Sequence, residues 1–164
     1  MMFKKLFSSK INQETIVAPL TGEVKNIEEV PDPVFAQRMM GDGIAIVPTE
    51  GKVVAPVDGE IVQLFHTKHA IGIRSQQGLE ILIHVGLETV NLKGEGFEAH
   101  VTEGQKVKAG DLLLTFDLPY IKQNAKDIIT PMVITNKDIV DSQDKNVGMQ
   151  AQRGTTMVMQ VKLK

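Results

Sequence analysis

Gly78-Leu79-Glu80-Ile81-Leu82-Ile83-His84-Val85-Gly86-Leu87-Glu88-Thr89-Val90 sets a histidine inside an otherwise apolar, strand-like run. An imidazole in such surroundings costs desolvation free energy unless something pairs with it. Taken alone, a histidine of this kind is by default a core residue satisfied by a backbone carbonyl. A second histidine upstream favours another reading. His69 follows Thr67-Lys68, and the intervening Arg74-Ser75-Gln76-Gln77-Gly78-Leu79 carries a polar turn signal. Two strands joined by such a turn form a hairpin, which can seat His69 and His84 side by side on neighbouring strands.

Outward from this hairpin the chain is a succession of short β-rich runs: Thr15-Ile16-Val17, Gly43-Ile44-Ala45-Ile46-Val47, Lys52-Val53-Val54, Glu60 to Phe65 and Thr156 to Val161. Gly, Pro, Asn and Asp punctuate them. The spacing predicts an all-β fold, an antiparallel sandwich or a barrel-like hybrid of one. Helix is expected at only two short places, Pro33 to Met40 ahead of Gly41, and Leu118 to Lys126 with Pro119 in its first turn. Ala18-Pro19-Leu20-Thr21-Gly22-Glu23-Val24 recurs as Ala55-Pro56-Val57-Asp58-Gly59-Glu60-Ile61, an internal repeat in which a proline and a glycine turn precede a new strand. Val101 to Asp111 adds a turn-strand-turn element like those of biotinyl and lipoyl carrier domains. A swinging-arm carrier needs a lysine at a hairpin tip, commonly beside methionine, and no Met-Lys dipeptide occurs.

With 164 residues and 42% hydrophobic content, the chain suits one domain with a real core. We divide it into a basic N-terminal tail, residues 1–13, and a domain over 14–164. Its formal charge of −2 gives no electrostatic case for nucleic-acid binding. The absence of cysteine excludes disulfides, thiolate metal sites and thiol catalysis, and fits a reducing compartment. No apolar run approaches the length of about 20 residues that spans a bilayer. The expectation is a soluble, cytoplasmic monomer.

Several further blocks stand in order: Pro31-Asp32-Pro33-Val34-Phe35-Ala36, Gly41-Asp42-Gly43-Ile44-Ala45-Ile46, Ala55-Pro56-Val57-Asp58-Gly59 and Leu92-Lys93-Gly94-Glu95-Gly96-Phe97. Together with Gly78 to Val90 the chain resembles the glucose-type IIA phosphocarrier proteins of the bacterial sugar phosphotransferase system, from roughly residue 14 to the C-terminus. The resemblance implies a phosphotransferase component that takes a phosphoryl group from the small phosphocarrier HPr and passes it to the IIB domain of a membrane sugar permease. It also implies regulatory targets whose binding depends on phosphorylation. A protein with regulatory binding alone, without phosphoryl flux, is the competing reading.

By the same resemblance His84 is the phosphoacceptor, attacking through Nε2, with Nδ1–H given to the Gly86 carbonyl. His69 hydrogen-bonds the phosphate and serves onward transfer, and Thr67 orients His69, although by pattern alone Thr67 is an ordinary β-branched strand residue. The chemistry is sound, because neutral imidazole is a competent nucleophile near neutral pH. Glu88 stands where several family members carry aspartate. A carboxylate beside the site would repel a phosphoryl group, so Glu88 is expected to face partners. Phe35, Met39, Met40, Ile44, Phe65 and Val90 complete the expected partner surface, methionine suiting a face that accommodates different partners. Val85, alternating away from His84, is expected in the core.

No cofactor is required by this chemistry. The resemblance allows one metal arrangement, zinc at a partner interface, with His69 and His84 as two ligands and a partner's carboxylate completing the set. His66 and His69 form His-x-x-His, but three residues apart on an extended strand they would face opposite ways. A zinc peptidase of related sandwich fold would need a third ligand from a His-x-His pair, which the chain lacks. In the tail, Phe3, Leu6 and Phe7 at i, i+3 and i+4 with Lys4, Lys5 and Lys10 could lay a helical edge against anionic membrane. The competing expectation is a disordered tail.

Overall fold

A computed structural model describes residues 12–164. The tail features at Phe3 to Lys10 lie outside the described residues, and the first strand starts at Gln13, one residue before the expected domain boundary. Fourteen strands follow: β1 (Gln13–Val17), β2 (Gly22–Asn26), β3 (Asp42–Pro48), β4 (Lys52–Val54), β5 (Gly59–Leu64), β6 (Ala70–Ser75), β7 (Glu80–His84), β8 (Phe97–Ala99), β9 (Lys106–Val107), β10 (Leu112–Phe116), β11 (Thr130–Ile134), β12 (Val140–Lys145), β13 (Gln150–Ala151) and β14 (Met157–Leu163). They form an eight-stranded sheet in the order β13-β2-β3-β11-β7-β6-β5-β9 and two three-stranded sheets, β1-β14-β12 and β4-β10-β8. All the strand pairs of the described residues are antiparallel. The large sheet ends at β13 and β9 without closing, so the architecture is the expected sandwich and not a closed barrel. No helix of the described residues is long and apolar enough to cross a membrane.

Period-two alternation explains why the central strands read as continuous apolar runs: both faces of the large sheet are covered. Ile44 and Ile46 of β3, Ile71 and Ile73 of β6, Ile81 and Ile83 of β7, and Met132 and Ile134 of β11 enter the main core. The alternate residues Ala45, Ala70, Leu82 and Val133 enter a second, smaller core with Ile27, Val30, Phe35, Leu87 and Ile129. His84 shares strand parity with Leu82, so its ring rises on the face of the smaller core. Ile44 has the opposite parity and is fully buried. Its expected place on the partner surface is therefore corrected: it is a main-core residue. Val85 is buried in the main core, as expected.

The two helices are shorter than the sequence suggests. The first, α1 (Pro33–Ala36), is capped by Asp32, whose carboxylate accepts from the Val34 amide at 3.0 Å. It stops because Arg38 turns left-handed at φ +58°, which no helix continues through. The second, α2 (Leu118–Asn124), is capped by Asp117 and ends where Ala125 becomes extended. Three 3-10 turns, Ile27–Glu29, Thr89–Leu92 and Lys137–Ile139, were not foreseen.

The sequence repeat is a structural one. The Val17 amide donates to the Pro56 carbonyl at 3.0 Å, and the Val54 amide donates to the Pro19 carbonyl at 2.8 Å. Each copy thus holds the other reciprocally. The glycine in each copy opens a strand and lies hard against its neighbour: a Cβ on Gly22 would sit 2.0 Å from the Val47 carbonyl oxygen, and one on Gly59 would sit 2.2 Å from that of Arg74. Backbone cannot yield there without breaking the β5–β6 ladder. Gly59→Ala is therefore expected to destabilise the fold by about 2–3 kcal/mol, read as a lower urea midpoint. An unchanged midpoint would show that the close approach is not a constraint.

Candidate active site

The β6–β7 hairpin sets the geometry. Ala70 pairs with His84, and the Val85 amide donates to the His69 carbonyl at 2.7 Å, so the backbones carrying the two imidazoles are directly bonded. Their rings lie 4.9 Å apart, edge to face at 81°. The side-by-side placement inferred from the turn signal is therefore realised. Residues 65–69 are the connection between β5 and β6, turned by Lys68 at φ +59°. His66 is thus on a turn, not on an extended strand; the structure leaves it exposed, as it does His100.

Each imidazole is oriented through Nδ1. His84 Nδ1 lies 2.8 Å from the Gly86 carbonyl oxygen, which can only accept, so Nδ1 carries the proton and Nε2 keeps its lone pair. His69 Nδ1 lies 2.5 Å from Thr67 Oγ1. If the hydroxyl donates, His69 holds its proton on Nε2, where it can be given to an anion. Thr67 and Gly86 are thus placed beside the histidines they were expected to orient. Gly86 requires its lack of a side chain: φ is +69°, and a Cβ would meet Thr89 Cγ2 at 2.8 Å and the Asp127 carbonyl oxygen at 2.9 Å.

Apolar walls surround the pair. The Phe35 ring is 5.1 Å from His84 and the Phe65 ring 5.5 Å from His69. Phe35 is buried, and Phe65 is half-buried against the smaller core, so both are walls more than outer surface. Met39, Met40, Val90 and Glu88 are exposed. Arg38, bonded to Asp42 and paired with Glu28, holds the segment bearing the two methionines.

Burial pushes the His69 pKa down from 6.5 to about 4, with the neighbouring His84 adding to the shift. Burial also lowers the His84 pKa, opposed by its bond to the Gly86 carbonyl and by the charge of Asp32. Both rings are neutral at pH 7. Asp32 was quoted in the sequence only as part of a block; its role beside His84 was missed. The available signal was the Asp-Pro start of a helix whose third residue is aromatic, which brings the capping carboxylate near the ring that Phe35 packs against. Lys126 Nζ donates to the Pro31 carbonyl at 3.0 Å and fixes the loop leading to Asp32.

Among the described residues no cluster of three or more His, Cys, Asp or Glu side chains is placed to hold a metal ion. A metal on His69 and His84 would need a ligand from outside this chain. A cavity of about 390 Å³ lies at the far end of the hairpin, lined by Asp58, Glu60, Arg74, Lys106 and Lys108. Its lining mixes opposite charges and holds no imidazole, whereas the histidine pair presents a ring nitrogen with a free lone pair.

Residues 14–140 match the family model described as phosphoenolpyruvate-dependent sugar phosphotransferase system, EIIA 1. The PTS system glucose-specific EIIA component of Bacillus cereus is 70% identical over 165 residues, covering 99% of this chain and 100% of that protein. The PTS system glucosamine-specific EIICBA component of Bacillus subtilis is 63% identical over 125 residues, covering 76% of this chain and 20% of that protein. Among solved structures, glucose permease IIA from Mycoplasma capricolum superposes with a TM-score of 0.84 at 40% identity, over 90% of this chain and 95% of that one.

The depressed His69 pKa has a definite stability consequence. Above pH 6.5 the group is neutral folded and unfolded, and its full contribution is present. Between 6.5 and about 4 the unfolded chain takes up a proton that the folded chain does not, so stability falls as pH falls. The urea midpoint is expected to drop across this window, and His69→Gln to make the drop shallower. A His69 ring proton titrating near 6.5 by NMR would contradict the buried, neutral assignment.

Proposed function

Because the chain belongs to the EIIA 1 family of the phosphoenolpyruvate-dependent sugar phosphotransferase system, we propose that it relays phosphoryl groups through a transient phosphohistidine at His84, from HPr to the IIB domain of a sugar permease. The observation that supports this most is the His84 Nδ1 bond to the Gly86 carbonyl, which leaves Nε2 as the free nucleophile on a neutral ring. In uptake, the Nε2 lone pair forms a bond to phosphorus as the donor's bond to it breaks, the electron pair leaving on the donor. In delivery the roles reverse. A loose phosphoryl transition state carries charge on its equatorial oxygens, so positioning and hydrogen-bond donors matter most. His69 supplies such a donor through Nε2–H, with Thr67 holding its Nδ1.

Both partners dock on the face around the pair, where exposed Met39, Met40 and Val90 give adaptable apolar contact and Asp32 and Glu88 supply negative charge. That face suits partners with an apolar centre and basic rim. Phosphorylation makes it more negative, so regulatory partners would be sorted by phosphorylation state. A zinc ion bridging His69 and His84 would form only with a partner's carboxylate. The B. subtilis relative, named an EIICBA component, supports IIB as the acceptor. The names of the relatives differ in sugar, glucose against glucosamine, which fits selection of the sugar by the permease. Work of this kind belongs on the cytoplasmic side of the membrane.

With phosphoenolpyruvate, enzyme I and HPr, His84→Ala is expected to lose acid-labile phosphate entirely. His69→Ala should still accept phosphate and fail mainly in transfer to IIB. His69→Gln should be milder, because an amide can still donate one hydrogen bond. Acid-labile phosphate retained on His84→Ala would falsify the acceptor assignment.

A further inference from the structure

Four polar side chains are buried among the described residues: His69, Ser75, Thr89 and Thr130. Ser75 accepts from the Leu79 amide inside the β6–β7 turn. The two threonines, both fully buried, lie at the other end of β7, and neither is bonded to an imidazole. They hold one peptide. Thr89 Oγ1 donates to the Val85 carbonyl at 2.6 Å, and the Gly86 amide donates to Thr130 Oγ1 at 3.3 Å. The Thr130 hydroxyl proton goes to the Ile128 carbonyl at 3.0 Å, which leaves its lone pair to the Gly86 amide.

Carbonyl and amide of the Val85–Gly86 peptide are the two ends of one planar unit. The following peptides are anchored as well: the Gly86–Leu87 unit, which carries the Gly86 carbonyl, by its Leu87 amide donating to the Asp127 carbonyl at 2.9 Å, and the Leu87–Glu88 unit by the Leu87 carbonyl accepting from the Lys126 amide at 3.2 Å. Within residues 85–87 the Gly86 carbonyl is left for His84. We propose that Thr89 and Thr130 clamp the Val85–Gly86 peptide, hold Gly86 at its left-handed φ and so aim the Gly86 carbonyl at His84 Nδ1. Both threonines are positioning residues for transfer at Nε2. Their importance for catalysis rests on the phosphocarrier reading; their effect on the imidazole tautomer does not.

Valine matches threonine in shape and lacks the hydroxyl. At position 130 it orphans the Gly86 amide, and at position 89 the Val85 carbonyl, each buried where water cannot replace the lost partner. The peptide then turns toward other partners, the Gly86 carbonyl leaves His84, and the ring proton spreads onto Nε2. An imidazole protonated on Nε2 has no lone pair there to attack phosphorus.

The test is ¹⁵N NMR of histidine-labelled, unphosphorylated full-length protein. The wild type should show His84 protonated on Nδ1. Thr89→Val and Thr130→Val should each raise the Nε2–H form and slow phosphoryl uptake from HPr by about tenfold, while Thr89→Ser and Thr130→Ser restore both. Folded valine variants with wild-type tautomer and rate would overturn the proposal. If the valine variants do not fold, the wild type decides: the clamp requires slowly exchanging hydroxyl protons on Thr89 and Thr130, and hydroxyls exchanging as freely as exposed ones overturn it. A tautomer shift without phosphoryl uptake in any version would uphold the clamp and defeat the carrier reading.

Discussion

The hydrogen bond from the Val85 amide to the His69 carbonyl is the contact on which the rest of the site depends. It continues the β6–β7 ladder one step past Ala70 opposite His84, and so fixes the distance and register of the two histidines. A slip of one residue would send His84 into the main core and bring Ile83 to the site, because side chains alternate faces. The apolar residues on both sides of the sheet guard against that slip. Ile81 and Ile83 fill the main core, Leu82 fills the smaller one, and neither set can exchange places without burying Glu80 and His84 among the main-core side chains.

The smaller core gives the site its chemistry. Without Phe35, Leu87 and Ile129 over this face, both rings would be hydrated and would titrate near their ordinary value. Desolvation keeps them neutral, and neutrality keeps a lone pair on Nε2 of His84. The same desolvation disfavours a phosphoryl group, so donors must be in place before it arrives. On the proposed reading His69 is such a donor, its ring 4.9 Å from that of His84. Asp32 works in the opposite direction, its charge drawing the His84 pKa back up. The pair is thus balanced between exclusion of charge and readiness to receive it.

The hairpin and the pairing of His69 with His84 were legible because alternation and a polar turn are local signals. The repeat was equally legible, since the close approaches at Gly22 and Gly59 leave room for no other residue. Ile44 was misplaced for a physical reason: Gly43 to Val47 is apolar on both parities, and nothing local says which parity meets the main core. The early end of α1 depends on the left-handed turn at Arg38, a residue type that gives no hint of it. Thr130 could not be found from sequence, because it meets Gly86 across 44 residues of chain, whereas Thr89 reaches Val85 across only four and passed for an ordinary strand residue. The place of Asp32 was missed, because its nearness to His84 arises only when α1 folds over β7.

On the proposed reading His84 Nε2 is the phosphoryl acceptor, prepared by the bond between Nδ1 and Gly86. Phosphorylating ¹⁵N-histidine-labelled protein with phosphoenolpyruvate, enzyme I and HPr, and locating phosphorus by its scalar coupling to ring nitrogen, tests it directly. Coupling to Nε2 of His84, with Nδ1 still protonated, is the expected result. Coupling to Nδ1, or to either nitrogen of His69, would contradict it.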